Sequence, residues 1–299
     1  MAYTYLVPSD TARILTTHAE NCKNLALILA RYIPHEAIRN DDVLNDRGRA
    51  VDKVRSKWLT NILKDFTGAN VEAIIFANLD RWSATVKAGN ASTFQMRLRG
   101  RMVVGLGGKN PMEFGITLNR LTGLPYIPGS ALKGLARSYA LLTLAGEFGI
   151  PIETEPLEKF DAALSKGTHD NNLLAKHYHL AFGTQADAGG CVFYDAVVSN
   201  VANPNESLFV MDVMTPHFVK YYTSGGTDAP HDGDSPNPVS YVAVREGVSF
   251  GFAVGSRTGF VDVDNATRKQ ARNWLRSALE EMGIGAKTAQ GYGVFAKPD

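Results

Sequence analysis

A glycine-rich segment near the end of the chain places the strongest constraint on the fold. Residues 283–293 read GIGAKTAQGYG and follow directly on a helical pattern. Glycine lets the backbone approach a ligand closely, and exposed N–H groups beside a lysine form a natural phosphate cradle. The segment, which we call the glycine loop, therefore predicts a site for a phosphate-bearing ligand.

Two mononucleotide motifs do not fit this loop. A P-loop needs glycine directly before its lysine, but Ala286 precedes Lys287. The dinucleotide fingerprint G-x-G-x-x-G fails because Thr288 occupies the last glycine position. The loop also lies at the chain terminus, with no room for the βαβ unit that either motif opens. A nucleic-acid backbone is the better candidate.

The net charge and the two cysteines restrict how the chain could bind nucleic acid and in which compartment it is expected. The formal net charge is only +1, so any electrostatic footprint for nucleic acid is local or shared with partner subunits. Cys22 and Cys191 are far apart and have no metal-ligand spacing, which indicates reduced thiols in a cytoplasmic protein. We find no signal-peptide pattern and no apolar run of the ~18 residues that a membrane span needs.

Hydrophobic periodicity predicts a single α+β domain over residues 1–299. Residues from about 10 to 90 form a helical N-terminal region, with helices predicted at 24–32, 40–65 and 70–87. The core follows over 91–299, with insertions near 150–180 and 223–238. Its predicted strands are 93–104, 113–118, 190–198, 239–244, 248–255 and 292–296, and its helices begin at Ser130 and near Asp264 or Asn265. This order resembles a ferredoxin-like (RRM-like) β-α-β-β-α-β domain.

A second candidate anion site lies at the start of the helix after Pro128. Ser130 is a good N-cap residue, and Gly129 allows close approach to the helix N-terminus, where unpaired N–H groups attract anions. Lys133 and Arg137 lie one turn apart on one helix face. These features predict contact with a phosphate backbone; an ordinary capped helix with two solvated bases is the alternative.

Three arginines alternate along the first predicted core strand. Arg97, Arg99 and Arg101 share one face, opposite the apolar residues of the same strand. Like charges on one strand face repel each other, so something compensates them. RNA phosphate, carboxylates such as Asp195, and plain solvation are equally open explanations.

The histidines give no catalytic or metal site on spacing alone. His217 follows a Thr-Pro pair but has no paired base or nucleophile in the sequence, which favours a structural role. His177 and His179 form an H-x-H pair without the further ligands of a conventional metal site. We therefore predict no catalytic residue, no metal and no cofactor. Tyr126, Phe193 and Tyr292 are candidates for stacking on bases or for the core.

Three stretches together resemble the RAMP superfamily, whose members build CRISPR effector complexes. They are residues 123–137 (GLPYIPGSALKGLAR), residues 182–183 with 188–196 (FG and AGGCVFYDA), and the glycine loop. Residues 212–217, the pair Tyr221 and Tyr222, and residues 236–239 narrow the resemblance to the family of sixth subunits of the Cmr complex, the type III-B effector.

The resemblance implies a non-catalytic, RNA-binding assembly subunit in antiviral defence, within a complex that cleaves target RNA through other subunits. It implies contact with the 3′ part of the guide (CRISPR) RNA at the head of the complex. Target RNA is a further candidate ligand, and the expected neighbours are the backbone RAMP, the small helical subunit and the first Cmr subunit. By direct motif match, RNA contact is expected of Gly129, Ser130, Lys133, Arg137, Lys287, Thr288, Gln290 and Tyr292.

Two other functions stay open on the sequence. One is a guide-processing RAMP endoribonuclease that uses His217 or His18 as general base and Lys287 to stabilise the transition state. The other is a structural capping subunit whose basic motifs meet acidic partner surfaces and touch no RNA. The arginines at positions 97, 99 and 101 match no family motif and rest on the charge argument alone.

Overall fold

The computed structural model describes residues 4–18, 22–39, 42–44, 50–108, 112, 114–184, 187–215, 219–231, 238–257, 263 and 265–297. It has a mixed helix and sheet architecture, as the predicted α+β class requires. None of the helices in these ranges combines the length and the hydropathy that a membrane span requires.

The N-terminal region is mainly helical but also contains a β-hairpin. Its elements are α1 (Ser9–His18), α2 (Leu25–Arg31), α3 (His35–Arg39), β1 (Asp42–Leu44), β2 (Ala50–Lys53), α4 (Val54–Leu63) and α5 (Gly68–Ala88). The predicted helix at 40–65 is wrong in its first part, because Asp42 pairs with Lys53 in an antiparallel ladder. Strand pairing is a tertiary preference that helical periodicity does not reveal.

The core alternates strands and helices. Its elements are β3 (Ser92–Leu98), β4 (Tyr126–Ile127), α6 (Gly129–Phe148), α7 (Thr154–Ser165), α8 (Leu173–Phe182), β5 (Cys191–Phe193), β6 (Ala196–Val201), β7 (Phe209–Met214), α9 (Val219–Thr223), β8 (Val239–Val244), β9 (Val248–Ser256), α10 (Asn265–Glu281) and β10 (Phe295–Ala296). The main sheet has the order β10-β3-β9-β6-β4, and β5 also pairs with β9. Every neighbouring pair is antiparallel, and β7 and β8 form a separate two-stranded sheet.

Helices lie on both faces of the main sheet. On the inner face, Met96, Phe250 and Phe252 are fully buried, and α10 packs its apolar stripe, including Trp274 and Leu275, on this side together with α6. On the outer face, α5 packs against β6 and places the ring of Trp82 beside Gly251. A Cβ atom at Gly251 would lie 3.3 Å from that ring, so glycine makes room for the tryptophan.

Three predicted core strands differ from the structure. The strand predicted at 93–104 ends at Leu98. Residues 114–117 are not a strand, although Gly115 and Thr117 donate backbone hydrogen bonds to Leu106 and Val104. Only the last two residues of the predicted closing strand pair as β10; the region predicted as an insertion at 150–180, for which no element was predicted, is largely the helices α7 and α8. Short strands depend on partners far away in sequence, which explains the errors at their ends.

The other strand predictions agree more closely. β8 has the predicted bounds, and β9 extends one residue beyond its prediction. The strand predicted at 190–198 is divided into β5 and β6, which pair with successive parts of β9. Of the loop predicted at 223–238, residues 232–237 lie outside the described part of the chain.

Candidate nucleic-acid interface

The glycine loop is a compact turn built on its own backbone contacts. Gly283 ends α10 with a positive φ of 72° and donates its N–H to the carbonyl of Ala278, as predicted for a residue just past a helix. The N–H of Ile284 donates to Gly293, at 3.0 Å. A Cβ atom at Gly293 would lie 1.9 Å from the Ile284 oxygen. Glycine at position 293 therefore leaves the room that the backbone of Ile284 needs to close the loop.

The base of the loop is fixed to the segment that follows β3. The N–H of Ala286 donates to Val103 at 2.9 Å, and that of Gly293 donates to Arg101 at 2.7 Å. These N–H groups are satisfied within the chain and are not available to a phosphate. The longest exposed stretch of the loop is its tip, Ala289 to Gly291, which overlaps the 3-10 turn Thr288–Gln290; Gly285 is also exposed.

A cluster of polar side chains lies beneath this tip; we call it the Asp212 cluster. It consists of Arg101, Asp212, Tyr241, Lys287 and Tyr292. The Tyr292 hydroxyl donates to Asp212 Oδ2, which also accepts from Arg101 Nη1 at 2.5 Å. The Tyr241 hydroxyl donates to that of Tyr292 at 3.0 Å.

Lys287 is oriented by the two tyrosine rings of this cluster. Its Nζ lies 4.9 Å from the ring centroid of Tyr241 and 5.8 Å from that of Tyr292. Its backbone is left-handed, with φ of 64°, which is uncommon for a residue with a side chain. The loop thus holds one ammonium group in a defined direction above an aromatic platform.

The electrostatics of the cluster favour an ionised carboxylate. Burial alone raises the pKa of Asp212, but hydrogen bonds from Tyr292 and Arg101 outweigh burial and hold the pKa below its usual value. Hydrogen bonding to Asp212 raises the pKa of Arg101, and burial, reinforced by Tyr292, raises the pKa of Tyr241. At neutral pH the carboxylate neutralises Arg101, and Lys287 contributes the second positive charge.

The start of α6 differs from the predicted anion site. Pro128, and not Ser130, is the N-cap residue, and Ser130 is exposed within the first turn. The N–H of Gly129 donates to Asp195 Oδ1 at 2.7 Å, so a carboxylate of this chain already occupies the helix N-terminus. A Cβ atom at Gly129 would lie 2.0 Å from the Phe193 oxygen, so the close approach that glycine permits here is to Phe193.

The two bases of α6 have different environments. Arg137 Nη2 contacts both oxygens of Asp161 at 2.9 and 3.0 Å, and its Nε donates to Tyr178 at 3.0 Å. Lys133, in contrast, makes no hydrogen bond or ion pair with any described residue. Burial lowers the pKa of Lys133, and the positive charges of Arg137 and Arg257 lower it further. Among the described residues, Lys133 is therefore the α6 base that is left without a counter-charge.

The three arginines do not share a strand face, which corrects the sequence interpretation. Arg97 lies on β3 opposite Ser249, whereas Arg99 and Arg101 follow the end of the strand. Arg99 is exposed, and Arg101 belongs to the Asp212 cluster. The carboxylate that compensates Arg101 is Asp212, because the chain beyond β3 turns toward β7.

The two predicted motifs lie at opposite ends of β9. The glycine loop is fixed beyond the end of β3, whose Arg97 pairs with Ser249 near the start of β9. Lys133 is near Arg257 and Cys191, and Cys191 pairs with Ser256 at the other end. At about 3.3 Å per residue, they are separated by roughly 25 Å, too far for a single phosphate.

The histidines have structural partners where the structure describes them. His177 Nδ1 lies 2.8 Å from Thr267 Oγ1, and His179 Nδ1 lies 3.1 Å from Asp170 Oδ2. Among the described residues no three His, Cys, Asp or Glu side chains are placed to hold a metal ion. His217 and the side chain of His18 lie outside the described part of the chain.

Sequence reasoning missed two members of the Asp212 cluster. Asp212 stands inside the apolar strand FVMDVM, and Tyr241 is fully buried on β8. A single carboxylate among apolar strand residues is a signal for a buried polar partner, but nothing in the sequence names that partner. Phe193, a candidate for base stacking, is instead a core residue stacked on Phe182 at 6.0 Å.

Comparison with known proteins defines the class of this fold. The sequence profile of the RAMP superfamily matches residues 95–296, so the chain belongs to the RAMP superfamily. The predicted resemblance is confirmed.

The relatives define the subunit more narrowly. The chain is 32% identical over 235 residues to the CRISPR system Cmr subunit Cmr6 of Pyrococcus furiosus, which covers 68% of this chain and 67% of that protein. It is 25% identical to Cmr6 of Saccharolobus solfataricus, over 68% of this chain and 56% of that protein. The chain is thus a homologue of Cmr6.

The fold also occurs in a solved complex. One chain of the cryo-EM structure of the type III-B Cmr-beta bound to cognate target RNA matches 97% of this chain and 86% of its own length, with a TM-score of 0.57 and 19% identity. At that identity the match supports the shared fold.

Proposed function

We propose that this chain is a non-catalytic RNA-binding and assembly subunit of a type III-B CRISPR effector complex in antiviral defence, contacting the 3′ part of the guide RNA at the head of the complex. The observation that carries the RNA contact is Lys287, whose ammonium lies over the Tyr241 and Tyr292 rings beside an exposed loop tip. The homology to Cmr6 supports the complex.

The RNA-contacting residues fall into two groups under this proposal. Lys287, Thr288 and Gln290 form a contact at the glycine loop, and Lys133 forms a separate contact at the other end of β9. Arg101 and Tyr292 hold the loop through Asp212, so their part in RNA binding is to position Lys287. Arg137 stabilises α6 through Asp161.

We also infer that the core is ferredoxin-like. The strands β10, β3, β9 and β6 are adjacent in that order, with α6 and α10 packed together on the inner face. In chain order these are the fourth, first, third and second strands of a β-α-β-β-α-β unit, all antiparallel. The β7–β8 sheet and the helices α7 and α8 are then insertions in this unit.

The partners proposed for this subunit are the guide RNA, target RNA and the backbone, small helical and first Cmr subunits. The related type III-B Cmr-beta complex is bound to cognate target RNA, which supports RNA and other Cmr subunits as partners. A net charge of +1 suits a subunit that shares one RNA with several partners. A cytoplasmic location follows from this assignment.

Ultraviolet crosslinking tests the RNA contact. The chain is purified alone and within its co-expressed complex, and crosslinked peptides are mapped. We expect crosslinks in the glycine loop, and at Lys133, to the 3′ half of the guide within the complex. Their absence from both states would support a structural capping subunit, with the glycine loop as a protein interface.

The non-catalytic assignment has its own test. A guide-processing endoribonuclease would need a general base, and the candidates that the sequence offers are His217, tested first, and His18. We expect the His217→Ala complex to produce guides of unchanged length and yield. Loss of guide processing, with the assembly intact, would identify this subunit as the nuclease.

A further inference from the structure

A cavity of about 420 Å³ opens between α5 and β3, away from the glycine loop. Leu79, Trp82 and Val86 of α5 form its apolar wall, and Gln95 and Gly251 of the outer sheet face form its floor. Binding sites for small ligands occupy about 300–1,000 Å³. The volume suits one nucleotide or a single large side chain, and it is too small for a folded segment.

The indole of Trp82 is fixed at one edge and open to the cavity at another. Its Nε1–H donates to the carbonyl oxygen of Asp195 at 2.8 Å, and its six-membered ring rests beside Gly251. The other tryptophans, Trp58 and Trp274, are each 3% exposed, whereas Trp82 is only partly buried and lines the cavity. A fixed and accessible indole is a preformed stacking surface for a base.

The cavity that Trp82 lines also contains polar side chains that have no partner among the described residues. Lys87, Asn90 and Gln95 line the cavity, are exposed, and make no side-chain hydrogen bond or ion pair with the described residues. The Asn90 backbone is held in place, because its carbonyl accepts from Arg268 Nη1 at 2.8 Å. Gln95 pairs with Gly251 across β3 and β9.

These groups match the chemistry of a nucleotide. The amides of asparagine and glutamine offer a donor and an acceptor together, which is how proteins recognise the edge of a purine. A lysine at the rim supplies a charge for phosphate. The cavity contains no carboxylate among its described lining residues, so an anionic ligand meets no repulsion from them.

We propose that this cavity binds one unstacked nucleotide of single-stranded RNA. The base lies beside Trp82, its edge faces the amides of Asn90 and Gln95, and its phosphate lies near Lys87. Arg97 is two residues beyond Gln95 on the same strand face, roughly 7 Å away, in the direction of the glycine loop. The proposal rests on the proposed function in one respect only, that RNA is the ligand.

Tryptophan fluorescence tests this site in the full-length chain. Because Trp82 is the accessible indole, we expect saturable quenching on titration with adenosine monophosphate and with a six-nucleotide oligoadenylate. Trp82→Phe removes the quenching signal. Asn90→Ala and Gln95→Ala each weaken binding at least about fivefold, the lower end of the discrimination from a bidentate amide–base contact. Glu72→Gln, on the same helix outside the cavity, leaves binding unchanged.

Three results would overturn the proposal. The first is no saturable quenching by either adenine ligand. The second is equal quenching by inorganic phosphate, which would reduce the site to an anion contact. The third is loss of subunit association in RNA-free complex on Gln95→Ala, which would make the cavity a seat for a protein side chain. Crosslinking at the glycine loop is measured separately, so failure of the cavity and failure of the proposed function are distinguishable.

Discussion

The carboxylate of Asp212 on β7 accepts a hydrogen bond from the hydroxyl of Tyr292 in the glycine loop, 80 residues further along the chain. The same carboxylate pairs with Arg101, just beyond β3. One partly buried side chain therefore connects the loop to β7 and to the segment that follows β3. This connection holds in place the Tyr292 ring, which is one of the two rings that orient Lys287.

Asp212→Asn tests that connection. The amide loses the charge that attracts Arg101 and offers a weaker acceptor to Tyr292, so we expect the free energy of unfolding to fall by about 1–3 kcal/mol. Urea denaturation measures the change. Asp228→Asn, at an exposed carboxylate, serves as control, and an equal loss in both variants would contradict a special role for Asp212.

The contribution of Asp212 is expected to depend on pH. Since its hydrogen bonds with Tyr292 and Arg101 outweigh burial and lower its pKa in the folded state, the stabilisation is complete above the unfolded pKa of about 3.9. It is lost as the pH falls through the lower folded pKa. Melting temperatures of wild type and Asp212→Asn should therefore differ at pH 7 and converge toward pH 3. If the difference in melting temperature grew on acidification, the pKa of Asp212 would be raised in the folded state, not lowered.

Lys287→Glu tests the RNA contact at the loop. Replacing the ammonium with a carboxylate removes one phosphate contact and adds repulsion, so guide RNA retention in the co-expressed complex should fall by about tenfold or more. The slope of the logarithm of the binding constant against the logarithm of the salt concentration should become shallower by about one, because one phosphate contact is lost. Lys269→Glu, at an exposed lysine on α10, is the matched control. Equal retention in both variants would exclude Lys287 as an RNA contact.

Substitutions of the two bases of α6 should have different effects, one on stability and the other on RNA binding. Arg137→Gln breaks the contact with Asp161 and is expected to lower the free energy of unfolding by about 1.5–3 kcal/mol. Lys133→Gln removes a base whose charge is disfavoured by burial and by Arg137 and Arg257, so it should not destabilise the chain. Retention of guide RNA should fall with Lys133→Gln in assemblies of normal stability. If instead Lys133→Gln destabilised the chain and Arg137→Gln lowered guide RNA retention at normal stability, the two assignments would be reversed.

Two glycines of α6 give a matched pair of substitutions. At Gly129 a Cβ atom would lie 2.0 Å from the Phe193 oxygen, so Gly129→Ala must displace the helix start from β5. At Gly134 a Cβ atom meets nothing within 4 Å, and alanine is the better helix former by about 1 kcal/mol. We expect thermal unfolding to show Gly129→Ala destabilised and Gly134→Ala stabilised. Similar melting temperatures for the two variants would contradict the close packing at Gly129.

The local sequence determined the elements that carry their own signals. The bounds of β8, the start of α10 to within a residue and its end before Gly283 follow from alternation, apolar spacing and a glycine C′ residue. The motifs of residues 123–137 and the glycine loop were sufficient to identify the RAMP resemblance, which the relatives confirm. Their RNA contacts remain predictions.

Only the tertiary structure decided what each functional side chain does. Arg137 and Lys133 are equivalent on a helical projection, but α7 brings Asp161 to one, and no described residue of opposite charge pairs with the other. Arg101 was expected on a strand face and instead pairs with Asp212, more than a hundred residues away. Periodicity reports which face of an element is apolar. It carries no information about which distant element supplies a counter-charge, because that depends on how the elements pack.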